Sequence, residues 1–194
     1  MYQLGEETPE DFWEVEALYD LCFAPGREAL SSYRLRDGVA RVAGLSLVAR
    51  DADGILSGAI RFWPVRVGAV PALLLGPVAV HPTRQGEGLG GALINDSVGR
   101  AGDLGWHRVL LVGDAPYYKR FGFTRLEGVE MPPPTNPERV LGHGEWADIR
   151  GPVRKMGGNG VGNTGSNPTS PGSIGERKRI GPRPMAVRND RFGD

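Results

Sequence analysis

The sequence predicts one mixed α/β domain over residues 1–156, on three observations. The turn signal Asp51-Ala52-Asp53-Gly54 lies between "GLSLVAR" and "ILSGAIRFWPVRV", the pattern of a β-hairpin. The run "ALLLGPVAV" (72–80) is apolar nearly throughout, as a strand buried on both faces is. A glycine-rich loop then leads into Leu93, Ile94, Val98, Ala101 and Leu104, which recur at the spacing of one helix face.

Taken in order, "TPEDFWEVEALYDLCF" opens with Thr8 as N-cap and Pro9 in the first helical position, followed by acidic residues. Phe12, Val15, Leu18 and Leu21 or Cys22 form its apolar stripe. Pro25 ends that helix, and "GREALSSYRLR" reads as a second one. Within "ALLLGPVAV", Gly76-Pro77 predicts a bulge or a break in pairing, because proline donates nothing to a ladder. Gly105 suits the residue after a helix end. "HRVLLVG" reads as a buried strand, "APYYKR" as a short helix, "FGFTRLEGVEM" as a strand, "PPPTNPE" as a rigid loop and "EWADIRGPV" as a last strand.

Beyond residue 156 the chain is dominated by Gly, Asn, Ser and Pro. Such a segment buries too little apolar surface to offset its ordering entropy, so 157–194 is expected to be a disordered tail. Its Arg177, Lys178 and Arg179 could touch an acidic partner, but a solvated charge run is the favoured reading. Charge is balanced, 23 basic against 23 acidic residues, so no overall field draws the chain to nucleic acid or membrane. No apolar run approaches the ~20 residues of a membrane span. The acidic start lacks the apolar stretch of a secretory signal. The single cysteine, Cys22, reads as part of a buried helix face in a reducing compartment. A cytoplasmic protein is the expectation.

The glycine loop invites a nucleotide reading, since Gly86, Gly88 and Gly91 spell G-x-G-x-x-G. That reading fails. Five residues separate the strand from Gly86, and Leu110 and Leu111 stand where a ribose-binding carboxylate belongs. No Gly-Lys-Ser/Thr follows either. The loop nevertheless suits an anion: glycines let successive N–H groups converge, and the helix start adds its positive end. Four glycines in residues 86–91 cost stability, roughly 1 kcal/mol each against alanine, which a purely structural helix start does not require.

The segment "LGPVAVHPTRQGEGLGGALI" resembles the acetyl-coenzyme A signature of the GNAT superfamily of N-acetyltransferases, with Gln85, Gly88 and Gly90 on its Q/R-x-x-G-x-G/A pattern. "YYKRFGF" is similar to the family's tyrosine followed by a Gly-Phe pair, with Tyr118 in register. The resemblance implies a GNAT fold: a mixed, mostly antiparallel sheet flanked by helices, its fourth and fifth strands splayed apart. It implies acetyl-CoA as co-substrate, with the pyrophosphate on the amides of Gln85, Gly86, Glu87, Gly88, Leu89, Gly90 and Gly91. The pantetheine arm would lie along Val78, Ala79 and Val80, bonding the main chain at Val78 and Val80 as an added strand does.

Transfer of acetyl to an amine needs a proton taken from the amine and one given to the leaving sulfur. Tyr118 suits the second task, because a phenol of pKa about 10 keeps its proton at neutral pH. Tyr117 is expected to pack. The fourth strand carries no carboxylate, so Asp114 and His81 are the candidate bases, acting through water. Phe62 and Trp63 are candidates for the acceptor wall; consecutive strand residues face opposite sides, so at most one lines it. His107 and His143 have no ligand spacing, and no metal is expected. The acceptor is an amine of a small molecule or a protein, and a homodimer stays open. The alternative is a non-catalytic acyl-CoA sensor or docking module, supported by the missing carboxylate and by "GDAPY" before the tyrosine. A nucleic-acid binder working through residues 177–179 is a third reading.

Overall fold

A computed structural model describes residues 1–23 and 26–156. Pro25 and the segment 157–194, with its Arg177–Arg179 cluster, lie outside the described residues. Strand β1 (Gln3–Glu6) precedes helix α1 (Phe12–Phe23), a short helix α2 (Ser31–Arg34), and strands β2 (Leu47–Arg50), β3 (Leu56–Val67) and β4 (Val70–Val80). Helix α3 (Leu89–Asp103), strand β5 (Arg108–Val112) and one-turn helix α4 (Ala115–Tyr118) follow. Four short strands complete the order: β6 (Thr124–Arg125), β7 (Val129–Glu130), β8 (Val140–Gly144) and β9 (Gly151–Lys155). The sheet runs β1-β2-β3-β4-β5-β8-β6, antiparallel except for β4 beside β5. Strand β9 joins the far end of β3 and pairs parallel with β7.

Pleating sends alternate residues to two faces. On one face Leu47, Ala49, Ile60, Phe62, Leu73 and Leu75 pack against α3 through Leu89, Leu93 and Ile94. On the other, Val48, Leu56, Ala59 and Ala79 meet Val15, Leu18 and Tyr19 of α1. Strand β4 carries the expected bulge: Ile60 pairs with Val78 and Phe62 with Leu75, so Gly76 and Pro77 together oppose Arg61. The additional residue resets the alternation. Leu73 and Leu75 face α3 before it, and Val78 and Val80 pack against the same cluster after it.

The helix start is as read: Thr8 donates from N and Oγ1 to Asp11 Oδ2, at 2.8 and 2.9 Å, above a short 3₁₀ turn, Pro9–Asp11. Several readings need correction. Phe12 and Leu21 are exposed, and the buried stripe of α1 is Val15, Leu18 and Tyr19 with Cys22 partly covered. Leu104, assigned to the buried face of α3, is exposed beyond the helix end. "GREALSSYRLR" is not one helix but a 3₁₀ turn (Arg27–Ala29) and α2, broken at the extended Leu30. "FGFTRLEGVEM" yields two dipeptide strands with different partners. "EWADIRGPV" contributes only its end to β9, while β8, which was read as no element, fills the edge of β5 over five residue pairs. Local pattern in "VLGHG" is poor; the waiting partner strand decides.

A buried ion network ties β1 and α1 to β3. Arg61 donates to both oxygens of Glu7 (Nε–Oε2 2.9 Å, Nη2–Oε1 2.6 Å) and to Glu16 on α1. Glu7 also accepts from Arg41, and Glu16 from Arg27, which holds Asp20 at 2.7 Å. The two arginines hold the Glu16 carboxyl below its usual range, against the opposing effect of its burial. Removing one member of such a set strands a buried charge, a loss of about 3–5 kcal/mol. Glu7→Ala is therefore expected to lower unfolding free energy by that amount in urea denaturation; a loss below about 1 kcal/mol would show that water relieves Arg61.

Candidate functional site

The splay that follows the bulge creates the site. Strands β4 and β5 pair only at Leu73–Val109 and Leu74–Leu110, and beyond Leu75 they diverge. His81 N donates to Ser57 O at 2.9 Å. Main-chain groups two residues apart point to the same edge, so Ala79 addresses β3 while Val78 and Val80 address the gap. Here an added strand would find main-chain partners, although Val80 O already accepts from Cys22 Sγ at 3.4 Å.

The glycine loop closes the gap's wide end. A 3₁₀ turn, Pro82–Arg84, is followed by Gln85 and Gly86, and Gly88 starts α3 in the left-handed region at φ 79°. The first intrahelical bond reaches back from Ala92 N to Gly88 O at 3.0 Å. The amides of Leu89, Gly90 and Gly91 therefore have no acceptor within the helix. They stand at its positive end. Glu87 turns outward and accepts from Tyr2 Oη, and Arg84 pairs with Asp51 of the hairpin at 2.8 Å. Both contacts brace the loop from outside. A cleft of about 670 Å³ runs along Val78–Val80, Gln85, Gly86 and Gly88–Gly91 to Tyr117, Tyr118 and Arg120. Glu87 alone of the residues assigned to the coenzyme is not on its wall.

Tyr118 stands where this cleft meets a second, narrower space. Its ring packs edge-on against Tyr117 and Phe123, with centroids 5.0 and 5.9 Å apart. A Cβ on Gly113 would lie 2.3 Å from Tyr118 Cε2, so this glycine makes room for the ring. Burial first, then neighbouring Tyr117, pushes the phenol up to about 12. It remains a proton donor throughout the neutral range. Tyr117 packs on Phe121 and reaches toward Gly90.

The narrower space is a slot of about 130 Å³ between the diverging strands, bordered by Leu74–Val78, Leu111 and Val112, with Tyr118, Tyr33 and Arg36 also on its wall. A basin of about 690 Å³ shares Tyr33, Arg36 and Pro77 with the slot and has Trp63 and Arg61 on its wall. Trp63 and Phe62 take opposite faces of β3. Trp63 lines the basin and donates from Nε1 to Gly76 O at 2.8 Å, whereas Phe62 is wholly buried against α3 and reaches none of these spaces. Asp114 caps α4 by accepting from Tyr117 N at 3.1 Å. His81 Nδ1 meets Thr83 Oγ1 at 2.8 Å and caps the next turn. Neither lines the cleft, the slot or the basin.

Sequence reasoning passed over Glu16, Arg36 and Arg61. Arg61 had a visible signal, a charge inside the apolar strand "GAIRFWPV". Arg36 had none, because its place depends on how the turns after α1 fold back. Among the described residues no cluster of three or more His, Cys, Asp or Glu side chains suits a metal ion, and no helix is long and apolar enough to cross a membrane.

Comparison with known proteins bears on this geometry. Residues 43–125 match the family model described as the acetyltransferase (GNAT) domain. The chain is 33% identical over 120 residues to the uncharacterized N-acetyltransferase YhbS of Escherichia coli K12, covering 60% of this chain and 70% of that one. It is also similar to the solved structure of E. coli YhbS in complex with CoA (TM-score 0.69, 26% identity, 80% of this chain and 89% of that chain). A GNAT family acetyltransferase from Brucella melitensis in complex with acetyl-CoA superposes with TM-score 0.61 at 30% identity, covering 80% and 96%.

The contact between Gly113 and Tyr118 is testable without any ligand. Gly113→Ala is expected to displace the Tyr118 ring, alter the near-ultraviolet circular dichroism and cost about 1–3 kcal/mol of stability. An unchanged spectrum and melting temperature would show that the ring is not held there.

Proposed function

The chain belongs to the GNAT superfamily of N-acetyltransferases, and on that premise we propose that its cleft binds acetyl-CoA while the slot and basin admit a primary amine. The observation that carries this reading is the continuity of three features: an open strand edge, a helix N-terminus with unpaired amides, and a protonated phenol at their junction. Acetyl-CoA supplies the activated acetyl thioester. The amides of the Gln85–Gly91 loop hold the pyrophosphate without side chains, and Arg120 adds a cation on the far wall. Val78 and Val80 hold the arm through main-chain bonds. An amide of β4 polarises the thioester carbonyl, the usual oxyanion arrangement.

Tyr118 Oη then donates its proton to the leaving sulfur. It is suited to do so, since it lines both the cleft and the slot and is held protonated by its surroundings. Glu16, in the basin, is kept ionised and engaged by two arginines, and Asp114 and His81 are occupied as caps. The reading therefore gives none of them the amine's proton; water in the open basin takes it.

Calorimetric titration with acetyl-CoA tests the binding half. Wild type is expected to bind, and Gly88→Val to lose at least about tenfold in affinity, because a valine is strained by roughly 1–2 kcal/mol in the left-handed region and its side chain enters the cleft. Unchanged affinity would remove the loop from the site. Tyr118→Phe tests the chemical half. Turnover should fall about 10²- to 10⁴-fold with acetyl-CoA affinity preserved, and the high-pH limb that belongs to phenol ionisation should disappear from the rate profile. Normal turnover with a lowered melting temperature would make Tyr118 structural.

A further inference from the structure

We propose that the acceptor is a small amine bearing a carboxylate a few bonds from its nitrogen, as in a free amino acid, and that Arg36 receives that carboxylate; this rests on the acetyltransferase reading above. Among the described residues three arginines are buried, Arg27, Arg36 and Arg61. Arg27 and Arg61 are saturated by Glu7, Glu16 and Asp20. Arg36 is not. It is 9% exposed, its Nε and Nη1 have no hydrogen-bond partner, and its Nη2 makes one long bond, 3.3 Å, to Ser32 Oγ. The ring of Tyr33 supports the guanidinium at 4.2 Å, while the Tyr33 hydroxyl accepts from Arg27 Nη1 at 2.8 Å.

Position gives the orphan cation its meaning. Arg36 Nη2 stands 3.2 Å from the point a Cβ on Gly76 would occupy, so it lies against the bulge itself. Arg36 and Tyr118 line the same slot, and Arg36 also borders the basin. Desolvation brings the guanidinium down to about 10, still a cation at neutral pH. Burying a cation unpaired is costly. A guanidinium has five N–H donors and no acceptor, so the group that satisfies it is an anion, best a planar one that takes two parallel bonds.

The slot's small volume limits what spans it. With the carboxylate at Arg36 and the amine directed toward Tyr118 and Val78, only a few bonds can separate them. The remainder of the molecule extends into the basin. Of that basin's five cationic side chains, Arg27 and Arg61 are taken by Glu7, Glu16 and Asp20, and Lys155 by Asp37, which leaves the guanidinium of Arg36, with Arg34 at the rim, to favour an anionic or zwitterionic visitor.

The experiment compares matched amines: phenylalanine, phenylalaninamide and phenethylamine, with glycine and β-alanine to vary the spacing. Thiol release from acetyl-CoA is measured with wild type and with Arg36→Met. The carboxylate-bearing compounds are expected to exceed the amide and the decarboxylated amine roughly 10- to 100-fold in kcat/KM, and Arg36→Met to erase that preference. Thermal shift with CoA present gives an independent reading: phenylalanine should stabilise wild type and not Arg36→Met, while the amide stabilises neither. If amide and acid are used equally, if Arg36→Met keeps the preference, or if no carboxylate-dependent effect appears in either assay, the proposal is overturned. Failure of the acetyltransferase reading shows separately, as absence of acetyl-CoA binding by calorimetry.

Discussion

One additional residue in β4 determines most of what this molecule can do. Because Gly76 and Pro77 together oppose Arg61, the strand changes parity and direction in its middle. Before the bulge it is an interior strand, paired on both sides. After it, only β3 remains as partner, and the other edge opens as β5 departs. The bulge is itself held from the α1 side: Trp63 donates to Gly76 O at 2.8 Å and Tyr19 approaches Pro77 O at 3.4 Å. A buried main-chain carbonyl without a ladder partner needs some donor. Here two aromatic side chains meet that need, and the same side chains shape what lies beside the bulge.

The charges follow from that geometry. The residue opposite the bulge is Arg61, and it faces α1 rather than α3. An arginine in that position must be paired, so Glu7 and Glu16 are drawn inward, and Arg27 and Arg41 after them. Such a network is weak evidence for stability, because apolar replacements often pack as well. Its value is positional: it pins α1 and the turns after it against the bulged strand, and those turns carry Tyr33 and Arg36 to the mouth of the slot. This ion network is thus the scaffold for the slot and basin.

Legibility in the sequence divided along the same line. The hairpin, the buried strand with its bulge, the glycine loop with its helix, and Tyr118 before Gly122-Phe123 were all readable, because each depends on residues adjacent in the chain. Phe62 and Trp63 were readable as a pair facing opposite ways, though not which faced the basin, since that requires the parity of β3 against its neighbours. The split of "GREALSSYRLR" into two turns, the small strands after Phe123, and β8 were not readable. Their conformations are decided by the edges they complete and not by their own propensities. Arg36 belongs with them: nothing in "SSYRLRDG" distinguishes it from Arg34, which reaches Pro133 O at 3.0 Å on the surface.

This division has a physical cause. The cleft along Val78–Val80 and the glycine loop is made largely of main chain, and main-chain geometry leaves a signature in glycine and proline positions, which are constrained by the backbone itself. The slot and basin are lined by side chains brought together from α1, α2 and the turns beside it, β3 and β5, where almost any residue type fits the local structure. The cleft and the slot are therefore written in different ways in one chain. The first is carried by spacing, and the second by which buried side chains remain unsatisfied once every local requirement has been met. Arg36 is the clearest of these, a cation that the fold has stacked and desolvated beside the bulge of β4 without giving it a counter-charge.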